Sequence, residues 1–273
     1  MHELGILVSG VTRSTQWAKK HLTSLTLFWD FTTNVWVNNA AVEKQLECLE
    51  PHPTISELAL VGYEGIKFSD WLSSLRNLTR FSLRKCNCQH LSPLSQLGSL
   101  VAYRLPNLEG WWQKEHSTSS SSLPSFGRLD KLVIEDCPKL HSMPLYLNLR
   151  DYLVLDNTSF DTFQHTINAP QSDSTLSPLY QLNTLCIIGI KKLDITQCDN
   201  IKWERLQSLR FLRLDYLPKL DKLPKGLQHL TALGELHIWR CNIKTLPEWI
   251  GNFSILKSLE FQLSLFEFHC LKH

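Results

Sequence analysis

Cysteine and histidine carry the most chemistry in this chain, with eight of the first and eleven of the second. Their spacing does not build a site. Cys86-x-Cys88 with His90 is the densest group, but structural zinc centres need a second pair at defined spacing. His269, Cys270 and His273 crowd the C-terminus, where a chain end frays more readily than it grips a metal. No G-x-S-x-G, no H-E-x-x-H and no convincing Ser/His/Asp order is present. The phosphate-cradling G-x-x-x-x-G-K-(S/T) is also missing. The sequence therefore predicts no enzyme, no cofactor and no metal site. The N-terminal stretch MHELGILVSGVTRSTQ has a short apolar run, no basic segment before it and Glu3 near its front, so it does not read as a secretion signal. Reduced, buried thiols in a cytoplasmic protein are the expectation, despite the even cysteine count.

What remains is recognition chemistry. Arginine and the large aromatics dominate binding hot spots. They gather at Phe28 and Trp29, and again at Arg213, Tyr216, His237, Trp239 and Arg240. Arg80, Arg84, Lys85 and Arg104 make a weaker basic group. The balance of 28 Lys+Arg against 26 Asp+Glu gives a formal charge of only +2. Nucleic-acid binding driven by net charge is excluded, and no RNA-module motif appears. With 43% hydrophobic and 20% charged residues the chain is not disordered as a whole. No run of about 18 apolar residues is long enough to span a membrane.

The elements that position these residues are read from a repeat. LPKGLQHLTALGELHI at 223–238 aligns without a gap on LPEWIGNFSILKSLEF at 246–261. The shared unit L-x-x-L-x-L-x-x-(C/N) recurs as Leu22-Leu25-Leu27, Ile55-Leu58-Leu60, Leu78-Phe81-Leu83, Leu100-Tyr103-Leu105 and Leu129-Leu132-Ile134. It continues as Leu182-Leu185-Ile187, Leu209-Leu212-Leu214, Leu233-Leu236-Ile238 and Leu256-Leu259-Phe261. A weaker copy holds Leu153 and Leu155, and a partial one opens the chain at Met1-Leu4-Ile6.

This is the leucine-rich-repeat period. Residues two apart on a strand share a face, so L-x-L sends both leucines inward and the flanking positions outward. One turn cannot bury its leucines alone, but stacked turns build a continuous core along a parallel sheet. The predicted fold is an α/β leucine-rich-repeat solenoid, a horseshoe of about 10–11 repeats. Its concave side is a parallel β-sheet and its convex side carries irregular or short helical segments. Cys86, Cys137 and Cys241 fall in the ninth slot, where a thiol packs inward and serves the turn's backbone. The outward positions of the late strands are Arg210, Arg213, Asp215, Tyr216, Glu235, His237, Trp239 and Arg240. Of these, Arg213, Tyr216, His237, Trp239 and Arg240 span two neighbouring strands, which makes them the best candidate contact patch.

The whole chain, 1–273, reads as one domain with insertions at about 31–54, 111–125 and 161–178. The first contains AAVEKQLECL, a helical pattern ended by Pro51 and Pro53. The second contains the Ser/Thr run of a flexible loop, and the third, DTFQHTINAPQSDSTLSP, also reads as a loop. The first repeat shows no polar cap, which suggests a piece of a larger protein or a partner domain over that edge.

Beyond this pattern, LECLEPHPTISELALVGYEGIKFSDWL at 46–72 and LRKCNCQHLSPLSQLGSLVAYRLPNLEGWW at 83–112 resemble the LRR region of plant intracellular resistance proteins of the coiled-coil, nucleotide-binding type. LVIEDCPKLHSMP at 132–144 and the block 209–253 look like the same region. The nucleotide-binding domain itself has no counterpart here. The resemblance implies a protein-recognition and autoregulatory module in defence against pathogens. Its implied partners are a pathogen effector, a guarded host protein, or the nucleotide-binding domain of a receptor. The alternative is a stand-alone interaction protein acting as a decoy or modulator of an intact receptor.

Overall fold

A computed structural model describes residues 3–8, 22–29, 39–91, 94–111, 126–146, 148–170 and 178–263. The Ser/Thr run of 111–125, apart from Trp111, lies outside them, as do residues 171–177 and the histidines and cysteine of the tail. The chain divides into two compact units, Met1–Leu145 and Tyr146–His273.

The first unit stacks six parallel strands in chain order: β1 (Glu3–Val8), β2 (Ser24–Trp29), β3 (Glu57–Val61), β4 (Arg80–Arg84), β6 (Ser99–Tyr103) and β8 (Lys131–Glu135). A small parallel pair, β5 (His90–Leu91) and β7 (Gly110–Trp111), lies apart from that ladder. The second unit stacks β9 (Tyr152–Asp156), β10 (Thr184–Ile188), β11 (Phe211–Asp215), β12 (Glu235–Cys241) and β13 (Ser258–Leu263), again all parallel. Each unit is an α/β stack of leucine-rich repeats, as the period requires.

Burial follows the alternation. In β3, β6, β8, β9 and β10 the second and fourth residues are buried and the other three half-buried. The inward residues pair across the ladder, for example Leu185 with Leu212, Leu212 with Leu236 and Leu214 with Ile238. Before most strands one carbonyl accepts two N–H groups of the next repeat. Thr23 O takes Ser56 and Glu57, Ser56 O takes Thr79 and Arg80, and Arg210 O takes Gly234 and Glu235.

The turn after each strand has its own rule. Lys85, Arg104, Asp136, Asn157, Tyr216 and Arg240 all have φ between 45° and 54°, and Gly62 and Gly189 fill the same slot at 76° and 66°. This left-handed residue aims its N–H along the ladder: Lys85 N–H donates to Tyr103 O, and Tyr216 N–H to Trp239 O. The conformation disfavours most side chains, and the hydrogen bond helps to hold it. The chain then drops inward at the ninth slot. Cys86 Sγ lies 3.4 Å from Leu60 O, Cys137 Sγ 3.7 Å from Ala102 O and Cys241 Sγ 3.6 Å from Leu214 O, so each thiol donates back to the preceding strand. Burial pushes these thiols up, to about 11 for Cys86 and Cys241 and about 12 for Cys137.

Two sequence expectations are corrected here. The repeat read as Leu100-Tyr103-Leu105 is three residues out of register. The inward pair is Leu100 and Ala102, opposite Phe81 and Leu83, while Tyr103 faces outward beside Arg84 and Glu135. A small Ala in a leucine slot hid the true frame. The insertion at 161–178 opens as a helix, α3 (Asp161–Asn168), which buries Thr162, Phe163, Thr166 and Ile167. Phe163 packs between Phe160 and Trp203, at centroid distances of 5.3 and 6.2 Å. The insertion at 31–54 holds the expected helix, α1 (Asn39–Glu47), with Val42 and Leu46 buried, and a single-turn helix, α2 (Trp71–Ser74), buries Trp71 and Leu72. Pro224 and Pro247 introduce single helical turns at Lys225–His229 and Glu248–Asn252, since proline fits the start of a helical turn but not a ladder.

Candidate functional site

The outward residues of the second unit form a grid. Register places Arg213 beside His237 and Cys186, and Asp215 beside Trp239 and Ile188. The next strand sets Glu260 beside His237 and Gln262 beside Trp239. The five residues proposed from sequence, Arg213, Tyr216, His237, Trp239 and Arg240, are brought together here.

Their organiser is a residue that sequence reasoning placed on the surface. Asp215 is an outward position, yet its side chain is 0% exposed. Two arginines cover it. Arg240 grips it side-on, with Nε 2.8 Å from Oδ1 and one Nη 2.7 Å from Oδ2. Arg213 donates one Nη to Oδ2 at 2.6 Å. Burial alone would raise the Asp215 carboxyl. The guanidinium hydrogen bonds and charges outweigh it and hold the group below its usual range. The same contact pushes Arg240 above its ordinary value.

Aromatic rings extend the cluster on both sides. The Arg213 guanidinium lies over Trp239 at 4.5 Å, and that of Arg240 is 5.9 Å from the Tyr216 centroid. Trp239 stacks on His237 at 5.4 Å, and His237 meets Phe211 edge-on at 4.8 Å. His237 Nε2 is 3.9 and 3.7 Å from the carboxylates of Glu235 and Glu260. The result is an array in which each flat side chain is held by a neighbour before any partner arrives. Such pre-organisation lowers the ordering cost of binding.

The other candidates fare differently. Phe28 is 40% exposed on the outward face of β2. Trp29 is not: it follows Leu25 and Leu27 inward and is 7% exposed. Its Nε1 donates to Gln45 Oε1 and its ring meets Tyr63 at 5.0 Å. Adjacent strand residues point to opposite faces, so the two could not share one. In the basic group of the first unit, Arg80 pairs with Glu57 across the ladder, and Arg104 reaches Asp136 at 3.4 Å and Tyr103 at 5.1 Å. These are exposed ladder pairs of low energy. Cys86, Cys88 and Cys137 are buried free thiols, and no group of side chains able to hold a metal occurs among the described residues. An open groove of about 650 Å³ lies between α1 and Lys67–Trp71, but Glu43 on its wall is spent on the backbone N–H groups of Ile66 and Lys67. Among the described residues no helix is long and apolar enough to cross a membrane.

Comparison with known proteins concerns the chain as a whole. The family model for R13L1/DRL21 leucine-rich repeats matches residues 12–108. Disease resistance protein RGA1 of Solanum bulbocastanum is 27% identical over 225 residues, covering 77% of this chain and 22% of that protein. Disease resistance RPP13-like protein 1 of Arabidopsis thaliana is 27% identical over 281 aligned residues, covering 77% of this chain and 26% of that protein. The chain thus spans about a quarter of the length of these relatives. Among solved structures, the leucine-rich repeat domain of the type III effector XopL superposes with a TM-score of 0.51 over 77% of each chain; at 19% identity this concerns the fold. Repeat pattern, strand ladder and relatives agree: the chain is a stack of leucine-rich repeats, similar to the leucine-rich-repeat regions of plant disease resistance proteins.

Proposed function

We propose that this chain is a non-catalytic protein-recognition module of plant defence, acting in the cytoplasm as one leucine-rich-repeat domain within a larger receptor. The observation that carries this reading is the array around Asp215. A fully buried carboxylate holds two arginines against tryptophan and tyrosine on an otherwise open sheet face. A structural ladder needs no such aromatic cover. A recognition surface does, because rigid aromatic and arginine side chains lose little entropy when they bind. The partner is a pathogen effector, a guarded host protein or the nucleotide-binding domain of a receptor. The last would make the contact autoregulatory.

The test is capture of a nucleotide-binding domain from a plant NLR by the purified chain, beside the Tyr216→Ala/Trp239→Ala variant. That pair is chosen because it leaves both arginines on Asp215. Removing the arginines instead would strand a buried charge and confuse unfolding with lost binding. Capture by the wild type, reduced at least tenfold in the variant at unchanged circular dichroism, is the expected result. Equal capture by both moves the contact off this face. No capture by the folded chain rejects the autoregulatory partner and favours the stand-alone modulator.

A further inference from the structure

The first unit carries a surface that the array around Asp215 does not use. Leu7, Phe28, Val61 and Arg84 stand in register on four consecutive strands, β1 to β4, all on the outward face. Leu7 is 62% exposed, Phe28 is exposed beside it, and Val61 is half-buried. Exposed apolar residues mean little singly, but side by side they make a patch. The patch is continuous, because the Phe28 ring leans towards β1: its Cε2 is 3.5 Å from the point that a Cβ on Gly5 would occupy. The adjoining row, Gly5, Thr26, Ala59 and Ser82, consists of small residues, so the larger row stands clear of the sheet. Arg84 ends the patch. Its side chain is exposed, and Nε lies 3.4 Å from the Ser82 hydroxyl. Among the described residues no carboxylate comes within ion-pair distance of Arg84; Glu57 pairs with Arg80, and Asp136 with Arg104. Its register neighbours, Val61 and Tyr103, carry no charge.

We infer that this row docks an extended protein segment that crosses the strands, with apolar side chains at two alternate positions and a carboxylate at the next. Neighbouring strands lie about 4.8 Å apart, and alternate residues of an extended chain are about 6.7 Å apart on one face. Steps of that length along the row bring the first apolar side chain to Leu7, the second to the seam between Phe28 and Val61, and the carboxylate to Arg84. The Ser82 contact is made by Nε, so both Nη groups of Arg84 are left for a charge-assisted pair with the carboxylate. The inference goes beyond the recognition reading above. It uses residues of the first unit only, so it can fail while that reading stands.

The experiment is NMR titration of the full, isotope-labelled chain with the capped peptide Glu-Ser-Leu-Ser-Leu-Ser-Glu, whose side chains read alike in either direction. Its counterparts carry Gln or Lys in place of Glu, or the same residues with the two leucines adjacent. The signals followed are the methyls of Leu7 and Val61 and the Arg84 Nε–H, each assigned by substitution. The Glu peptide is expected to shift all three saturably, with the three counterparts at least fivefold weaker. Arg84→Gln is expected to bring the Glu peptide down to the level of the Gln peptide, and Phe28→Ala to abolish the methyl shifts. Both side chains are exposed, so neither substitution opens the core. Equal or stronger binding of the Gln or Lys peptide would overturn the inference, and so would equal binding of the peptide with adjacent leucines. No shift at millimolar Glu peptide, or shifts that survive either substitution, would overturn it too. Any of these together with positive protein capture would reject this docking row alone and leave the array around Asp215 as the contact surface.

Discussion

At the residue scale the informative side chain is Asp215. An unpaired buried carboxylate would protonate, but this one is held ionised by two arginines. Its folded carboxyl sits below the unfolded value of about 3.9. The stability it contributes is therefore fully present above about pH 4 and is lost as pH falls through the lower folded value. Asp215→Asn removes a charge-assisted acceptor and should cost about 1.5–3 kcal/mol at pH 7. Denaturant melts between pH 7 and pH 2 check this: the gap between wild type and Asp215→Asn should hold to about pH 4 and shrink below it. A gap that does not change with pH would mean that the carboxylate is not the stabilising form. The thiols give a second residue-scale expectation. Burial raises Cys86, Cys88, Cys137, Cys198 and Cys241, and all five are buried; it raises Cys186 too, but Cys186, like Cys48, is only half-buried and so open to a reagent. Since the thiolate is the reactive form, a thiol reagent at pH 8 should modify Cys48 and Cys186 well ahead of those five. Mass-spectrometric time courses would reveal any of the five reacting as fast.

At the element scale, the two repeats that align without a gap in sequence differ in what covers them. Leu236 is 1% exposed, while its register partner Leu259 is 39% exposed. Leu236→Ala opens a cavity between two layers and should cost about 2–5 kcal/mol. Leu259→Ala gives up a side chain already partly in water and should cost about 1 kcal/mol. Chemical denaturation of both variants tests the pairing; equal costs would contradict the burial. Helix α3 supplies the other case. Its last carbonyls lack partners within the helix, and buried Arg205 donates one Nη to Ile167 O at 2.6 Å and to Ala169 O at 2.8 Å. Arg205→Met keeps the bulk but leaves those carbonyls without a donor, at a cost of about 3 kcal/mol. A melting midpoint unchanged by that substitution would show that the clamp is not needed.

At the scale of the whole molecule, the leucine period alone was enough to give strand order, parallel sense and the inward role of Cys86, Cys137 and Cys241. It repeats through the chain, and each copy corrects its neighbour. Legibility failed where a side chain broke the rule of its slot. Ala102 in a leucine position shifted the reading by three residues, and Phe163 with Ile167 made a helix of a segment whose polar residues suggested a loop. The contact array was half legible: alternation placed its members on one face, but the burial of Asp215 depends on side chains from two strands meeting over it. The ladder that made the fold readable also bears its stability. Layer-to-layer burial of leucines holds each unit together, and all seven described cysteines are free. The described residues, stabilised this way, owe nothing to cross-links, whose removal typically costs 2–5 kcal/mol in small disulfide-built domains. Thermal melts with and without dithiothreitol should therefore agree to within about 2 °C, because roughly 1 kcal/mol moves the midpoint of a chain of this size by about that much. A clear drop on reduction would mean that a disulfide, rather than the leucine ladder, sets the melting point.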